Sequence, residues 1–555
     1  MQDFWRWGDP SKAIHLSHFP KFKSFLQQQW NCELKDDFTV PDLEQSVSES
    51  SFSKSDFSAA FPQLRAQQFS NCKPDRIKYG FGKSYHDLIR IFSGKIPAVP
   101  DFVLFPENES DVVHILERAG RQKIKIMPFS GGSNVTCAFE LTVADATTCC
   151  VNMQRMKQLI SIDEISHTAV FEAGIFGPEL EKILNEKGFT LGHFPQSFEY
   201  STLGGWLATR SGGQESGQYG KIEDMALGVK VATPAGFITT TDFPRHASGL
   251  DTFRLFIGSE GTLGIITSAK IKIHRLTENH EWIVALFKTF EEGTAAVQGL
   301  LQRGIHPGIA RLSDALETKL FSTMRTVETT GIKKLIGSFI KSRIAGKGFT
   351  EPCILMFRFA LKHPGDNASV RFSEDFLRAK NAYLLPASTA GNWAEHRFSL
   401  PYLRDTLIQH RVMIDTFETI AYWKNINTLY AAVKKSLSGS DFYQKGGLLF
   451  CHMSHVYETG ACLYFTMIAP MERGNEEGQW LIYKKAVTDA LVQAGGAVSH
   501  HHGVGKDHQQ WYLQTTAAGE KQLLAAIKKH LDPENIMNPG KLFDNACPPA
   551  KGNAT

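Results

Sequence analysis

Three glycine-rich turns within residues 128–266 constrain this chain more than any other feature. The first, Pro128-Phe129-Ser130-Gly131-Gly132-Ser133-Asn134, follows the apolar run Ile124 to Met127. Two adjacent glycines there let consecutive backbone N–H groups converge on an anion such as a pyrophosphate. The second runs from Ser201-Thr202-Leu203-Gly204-Gly205-Trp206 into Ala208-Thr209-Arg210-Ser211-Gly212-Gly213. The third is Gly258-Ser259-Glu260-Gly261-Thr262-Leu263-Gly264-Ile265-Ile266. Any one of them is equally well read as a plain tight turn. Together, with their small hydroxyl residues, they suit backbone contact with a long, flat, phosphorylated ligand. Other nucleotide motifs fail on spacing. Gly82-Lys83-Ser84 would fit a Walker loop, but its first glycine falls on Ile77. Gly503-Val504-Gly505 meets His508 where a dinucleotide fingerprint needs a third glycine.

A chain of 555 residues exceeds what one hydrophobic core supports, so several domains are expected. Around the first turn the pattern reads strand, helix, strand: Phe102 to Phe105, then Val112, Val113, Ile115, Leu116 and Ala119 on one helical face, then Ile124 to Met127. Residues 1–95 read as an N-terminal extension with little chemistry, and the serine-rich stretch Ser46 to Ser58 as a loop. Residues 276–445 mix strands such as Trp282 to Phe287 with helices and read as a second domain. Near the end, Leu523, Leu524, Ile527 and Leu531 mark an amphipathic helix stopped by Asp532 and Pro533. With 60 basic and 57 acidic residues, the net charge of +3 gives no global reason to expect a nucleic-acid partner. Nine scattered cysteines without a C-x-x-C pair fit a reducing compartment better than a disulfide framework.

These turns, with Tyr219-Gly220-Lys221-Ile222-Glu223-Asp224 and the terminal D-P-E-N-I-M-N-P-G-K-L, resemble the vanillyl-alcohol-oxidase (PCMH-type) FAD-binding flavoproteins. The resemblance covers roughly residues 75–545. It implies an α+β fold: a FAD-binding domain of two α/β subdomains at 96–275, an α+β cap (substrate) domain at 276–480, and a segment 481–545 that returns to the active site and FAD domain, leaving 546–555 as a tail. It assigns FAD contacts to Pro128, Phe129, Ser130, Gly131, Gly132, Ser133, Asn134, Gln196, Ser197, Ser201, Thr202, Gly205, Thr209, Arg210, Ser211, Gly212, Glu260, Gly261, Thr262, Leu263, Gly264, Ile265 and Ile266. Some relatives attach the flavin through a histidine in the first loop. Ser133 and Asn134 stand there instead, so FAD is expected to be noncovalent. Ser130 and Thr136-Cys137-Ala138-Phe139 depart from the family by lacking glycines.

Within that family, three segments are similar to the alkyldihydroxyacetonephosphate synthase branch: Gly192-His193-Phe194-Pro195-Gln196-Ser197-Phe198-Glu199-Tyr200, Val456 to Phe465, and Ser499-His500-His501-His502-Gly503-Val504-Gly505-Lys506. Dehydrogenases of D-2-hydroxyacids, the runner-up, typically carry glutamate-histidine-glycine at the last site. The resemblance implies a net non-redox exchange: acyl-dihydroxyacetone phosphate loses its fatty acid and gains a long-chain fatty alcohol through a flavin N5 covalent adduct. Tyr464 and His502, with His501 and His500, carry over as the proton-handling group. Arg404 and Arg311 carry over as substrate-binding arginines, a residue type whose forked donors suit phosphate. No metal is assigned, the rival reading being an ion between His452, His455 and His500–His502.

Residues 332–348 place Ile332, Leu335, Ile336, Phe339, Ile340 and Ile344 on one helical face, beside Lys333, Lys334, Lys341, Arg343 and Lys347. The pattern suits an interfacial membrane helix or an ordinary surface helix of the cap. No apolar run is long enough to span a bilayer, and the G-N-A-T end lacks a peroxisomal S-K-L signal. A cytoplasmic protein, peripheral at the membrane, is therefore expected, and a homodimer is compatible with it.

Overall fold

The structure, a computed structural model, describes residues 4–141, 146–277, 279–324, 345–361, 363, 365 and 367–543. The first glycine turn leaves a small sheet in which Phe102–Leu104, Thr148–Asn152 and Lys125–Phe129 run parallel, with Phe69–Ser70 antiparallel at one edge. The crossover helix Glu109–Gln122 starts where the Asn108 side chain accepts from Asp111 N–H and ends at Lys123 in the left-handed region. Val112, Ile115, Leu116 and Ala119 are its buried face, as the apolar spacing requires. The chain's end closes this sheet: Ile126 N–H donates to the Ile536 carbonyl and Asn538 N–H to the Ile126 carbonyl.

A second sheet, antiparallel throughout, has the order Leu159–Asp163, Thr168–Glu172, Ile265–Lys272, Ala226–Thr233, Gly236–Thr239. The third glycine turn feeds directly into its central strand. A seven-stranded antiparallel sheet forms the cap, ordered Tyr383–Leu385, His280–Phe287, Cys353–Ala360, Ile309–Ser313, Leu448–Val456, Gly460–Pro470, Val412–Tyr422. One face of its last three strands, including Phe417, Leu463, Phe465 and Met467, packs into the largest core. The other face lines a cavity.

Three sequence expectations change. Ser46 to Ser58 is not all loop: Ser53 and Asp56 form a reciprocal capping box that starts the helix Lys54–Ala60. Leu523, expected on the buried face of the C-terminal helix Ala518–Leu531, is 62% exposed. Lys528 is buried there instead, its ammonium donating to the Thr262 and Met537 carbonyls and to Asp532. Third, the N-terminal region is part of the core. Leu16, Phe22 and Leu26 pack with Leu403, Leu407, Phe450 and Ile468 of the cap, each burial contributing about 1.5–3 kcal/mol.

Candidate active site

The cavity, about 380 Å³, falls within the roughly 300–1,000 Å³ usual for small-molecule sites. Its walls come from all three glycine turns, the cap sheet, the triple-histidine segment and the N-terminal region. Residues 128–134, Gln196, Ser197, Ser201, Thr202, Gly205, Thr209, Ser211, Gly212, Glu260, Gly261, Gly264, Ile265 and Ile266 line it. Three expected contacts do not. Arg210 occupies the left-handed C-cap of the helix Leu203–Thr209 and turns outward to Glu223 at 3.4 Å. The Thr262 hydroxyl bonds back to the Ser259 carbonyl, and Leu263 is a core residue.

The hydroxyl side chains at these turns bond within the protein. Thr202 Oγ1 donates to Ser130 Oγ at 2.7 Å, Thr209 Oγ1 donates to the Gly205 carbonyl, and Ser211 Oγ meets His193. Asn134 Oδ1 accepts from Thr136 and Ala138 N–H. The backbone N–H groups of Gly131, Gly132 and Ser133, by contrast, donate to no acceptor among the described residues. Hydroxyls thus shape the turns, and free amides remain for an anion. Close packing explains the glycines: a Cβ on Gly131 would lie 2.4 Å from the Tyr200 carbonyl, and Gly132 has φ +71°. The missing family glycines are compensated. Ser130 gains the bond to Thr202, and Cys137 takes φ 57° itself. These turns fit a flavin dinucleotide, and no histidine stands in the first one to attach it.

Cross-strand register builds the cavity's sheet wall. Glu418, Tyr464 and His452 stand opposite one another on neighbouring strands, as do Thr416, Thr466 and Phe450 two residues on, then Ile414, Ile468 and Leu448. Directly paired residues share a face and recur every second residue. The wall therefore passes from acid–base groups through threonines to aliphatic side chains over about 14 Å. Phe22, Met324, Leu403 and Leu407 pack around its apolar end.

Tyr464 sits between imidazoles: His452 stacks on it with centroids 4.9 Å apart, and His502 meets it edge-on at 5.6 Å. Burial pushes the Tyr464 phenol upward, partly offset by a hydrogen bond with Thr416. Burial pushes His502 down, against the pull of Glu418, so its ring is a neutral proton acceptor below the ordinary histidine value. His501 also lines the cavity, but His500 does not. Its Nε2 lies 2.8 Å from the Tyr457 hydroxyl, its Nδ1 3.0 Å from His501 Nδ1, and its carbonyl accepts from Lys221, which places it behind the cavity wall.

Glu418 was not anticipated. Its carboxylate accepts from the Ser499 hydroxyl and from the N–H groups of His500, His501 and His502, at 2.6–3.1 Å. Burial acts to raise its pKa, but His502, His500 and the Ser499 and backbone donors hold it at about 2. One fixed charge therefore sets the whole triple-histidine turn. Glu260 does similar work from the third glycine turn, accepting from Val504 and Gly505 N–H. Its carboxylate is a bracket between turns rather than a free cofactor ligand. Glu260→Ala leaves two buried N–H groups unpaired. It is expected to weaken FAD retention by about tenfold or more, measured as the FAD dissociation constant of the apoprotein.

Both arginines line the cavity. Arg404 pairs with its neighbour Asp405 at 2.8 Å, but the pair is buried, not on the surface. Arg311 donates to Glu317 at 2.9 Å and lies 3.0 Å from His452 Nδ1. Its Nε has no partner among the described residues. The metal rival changes membership: His455, Cys462, His500 and His501 have ligand atoms within 4.8 Å of one another, while His452 belongs to Arg311 and Glu317. The Lys221 ammonium, bonded to the His500 carbonyl, places positive charge beside that group.

Comparison with known proteins agrees with this geometry. Residues 100–242 match the family described as FAD binding domain, and 276–542 that described as FAD linked oxidases, C-terminal domain. The chain is 34% identical over 485 residues to alkyldihydroxyacetonephosphate synthase of Dictyostelium discoideum, covering 86% of this chain and 78% of that protein. The chain belongs to the alkyldihydroxyacetonephosphate synthase family. A solved alkyldihydroxyacetonephosphate synthase structure superposes with a TM-score of 0.80 at 30% identity, covering 94% of this chain and 93% of that one. p-Cresol methylhydroxylase, at 16% identity and a TM-score of 0.68 over 89% of this chain and 98% of that one, shares the fold alone. As a member of the synthase family, the chain is an FAD-dependent enzyme with the PCMH-type fold.

Proposed function

We propose that this enzyme exchanges the acyl group of acyl-dihydroxyacetone phosphate for a long-chain fatty alcohol, giving alkyl-dihydroxyacetone phosphate without net redox change. The observation that carries the reading is the single cavity wall joining Tyr464 and the histidines to an aliphatic end. Such a wall suits a reactant with a polar reacting head and a long apolar tail. FAD, when held by the three glycine turns, would supply the electron sink that such an exchange needs. Tyr464, neutral at physiological pH, is positioned to give a proton, and neutral His502 to take one. Arg404 and Arg311 supply cations for the phosphate and for Tyr464's surroundings. The redox alternative, oxidation of a D-2-hydroxyacid, gives no role to the apolar end.

The reading is tested by fatty acid release from palmitoyl-dihydroxyacetone phosphate. Release should depend on added hexadecanol and proceed without an electron acceptor. Release that requires an acceptor would overturn it.

Lipid-soluble reactants are met at membrane surfaces, so we also propose peripheral attachment on the cytoplasmic side. No described helix is long and apolar enough to cross a membrane. Most of the 332–348 segment lies outside the described residues. Ile336→Asp with Phe339→Asp is expected to abolish sedimentation with anionic vesicles, and unchanged sedimentation would discard that segment.

A further inference from the structure

The N-terminal segment does more than fill the core. Residues 4–12 strap across the junction of FAD domain and cap. Trp7 N–H donates to Asp405 at 2.6 Å, Asp9 N–H to the Tyr200 hydroxyl at 2.9 Å, and Lys12 pairs with Glu199 at 2.6 Å. Under the strap, the Lys83 ammonium donates to the Phe4 carbonyl, and the Lys83 carbonyl accepts from Arg404 at 2.6 Å. The Trp7 ring covers the Arg404 guanidinium at 5.2 Å. Lys83, Arg404 and Trp7 all line the cavity.

We propose that Lys83, fixed by this strap, is a second cation of the substrate's phosphate site, acting beside Arg404. The inference rests on the proposed function for its ligand, and on geometry for its place. Two arguments support it. First, Arg404 uses one donor each from Nε and its second terminal nitrogen on Asp405, and one from the other terminal nitrogen on the Lys83 carbonyl. One N–H on each terminal nitrogen remains, a forked pair that suits two phosphate oxygens. Second, no carboxylate among the described residues pairs directly with the Lys83 ammonium: Asp405 is taken by Arg404 and Trp7, and Asp87, the other carboxylate that acts on it, bonds to Ser84 and Cys137. A bound dianion would supply that direct partner.

The same surroundings make Lys83 a weak holder of its proton. Burial and Arg404 push it down to about 8, with Lys78 in the same sense, while Asp405 and Asp87 pull it up. Raising pH through about 8 therefore removes the charge from the free site. Phosphate is already mainly dianionic there, so anion affinity should fall across that range. In Lys83→Arg, whose side chain stays charged, the fall should move to higher pH.

Titration of the FAD-loaded enzyme with inorganic phosphate is the test, with bound flavin absorbance reporting intact folding. Lys83→Met should weaken phosphate binding by about tenfold or more and raise the KM for acyl-dihydroxyacetone phosphate, leaving the KM for hexadecanol unchanged. Lys83→Arg should restore binding and shift the alkaline fall upward. Lys83-dependent phosphate binding in an enzyme that forms no ether would sustain this site while removing the proposed function. Phosphate binding that is absent in the wild type, or equal in wild type and Lys83→Met, would overturn the site.

Discussion

Tyr464→Phe should lower kcat by about 10²–10⁴-fold, the usual worth of a positioned acid or base, while the protein stays yellow. The phenol ring is held by stacking against His452 and by the strand Gly460–Pro470, neither of which needs the hydroxyl. Loss of the oxygen therefore removes the proton carrier and leaves the wall. His502→Ala should cost a similar factor, because its ring meets Tyr464 edge-on and its backbone remains tied to Glu418. The pH profile gives an independent check. Burial lowers the His502 pKa from 6.5, so a reaction that needs its neutral ring should keep its rate as pH falls to 6.5 and decline only below it. Loss of flavin in Tyr464→Phe would assign the residue a structural role instead.

Glu418→Gln is expected to be nearly as damaging although Glu418 does not line the cavity. Its carboxylate organises four donors, and a carboxamide presents its own N–H groups to some of them. Each charge-assisted bond is worth about 1.5–3 kcal/mol, so the turn carrying His501 and His502 should loosen and kcat fall by about a hundredfold. Linkage fixes the sign of the acid response. The folded pKa of about 2 lies below the ordinary 4.5. The ionised carboxylate, tied to the Ser499 hydroxyl and three backbone N–H groups, therefore stabilises the native state above about pH 4.5. That contribution is lost as pH falls from 4.5 towards 2. Acid unfolding of the wild type should show this component, and the Gln variant should lack it. Equal acid stability and equal kcat in the two proteins would show that Glu418 is a bystander.

The glycine turns were legible because their chemistry is local: adjacent glycines, small hydroxyl residues and a preceding apolar run announce an anion-binding turn without tertiary information. Even there, the reading could not separate backbone from side chain. Arg210, Thr262 and Leu263 lie within the motifs yet face away, because a left-handed cap and a core position set their directions. Glu418 was hidden for the opposite reason. Its partners come from residues 499–502, some 80 positions away in sequence, although a carboxylate in the strand Val412–Tyr422 was a signal that something must pair with it. In the sequence, Lys83 stands out only as part of a failed nucleotide motif. Its relevance depends on the strap from residues 4–12 and on Arg404, which no spacing rule connects. The alternation of Ile468, Thr466 and Tyr464 along one strand, by contrast, could have disclosed a wall graded from apolar to polar.

The most direct measurement uses FAD-loaded enzyme, palmitoyl-dihydroxyacetone phosphate and labelled hexadecanol, with a dye electron acceptor present. The expected result is labelled ether product, equimolar release of palmitate and no reduction of the dye. Dye reduction by D-lactate or glycolate with no labelled ether would contradict the assignment.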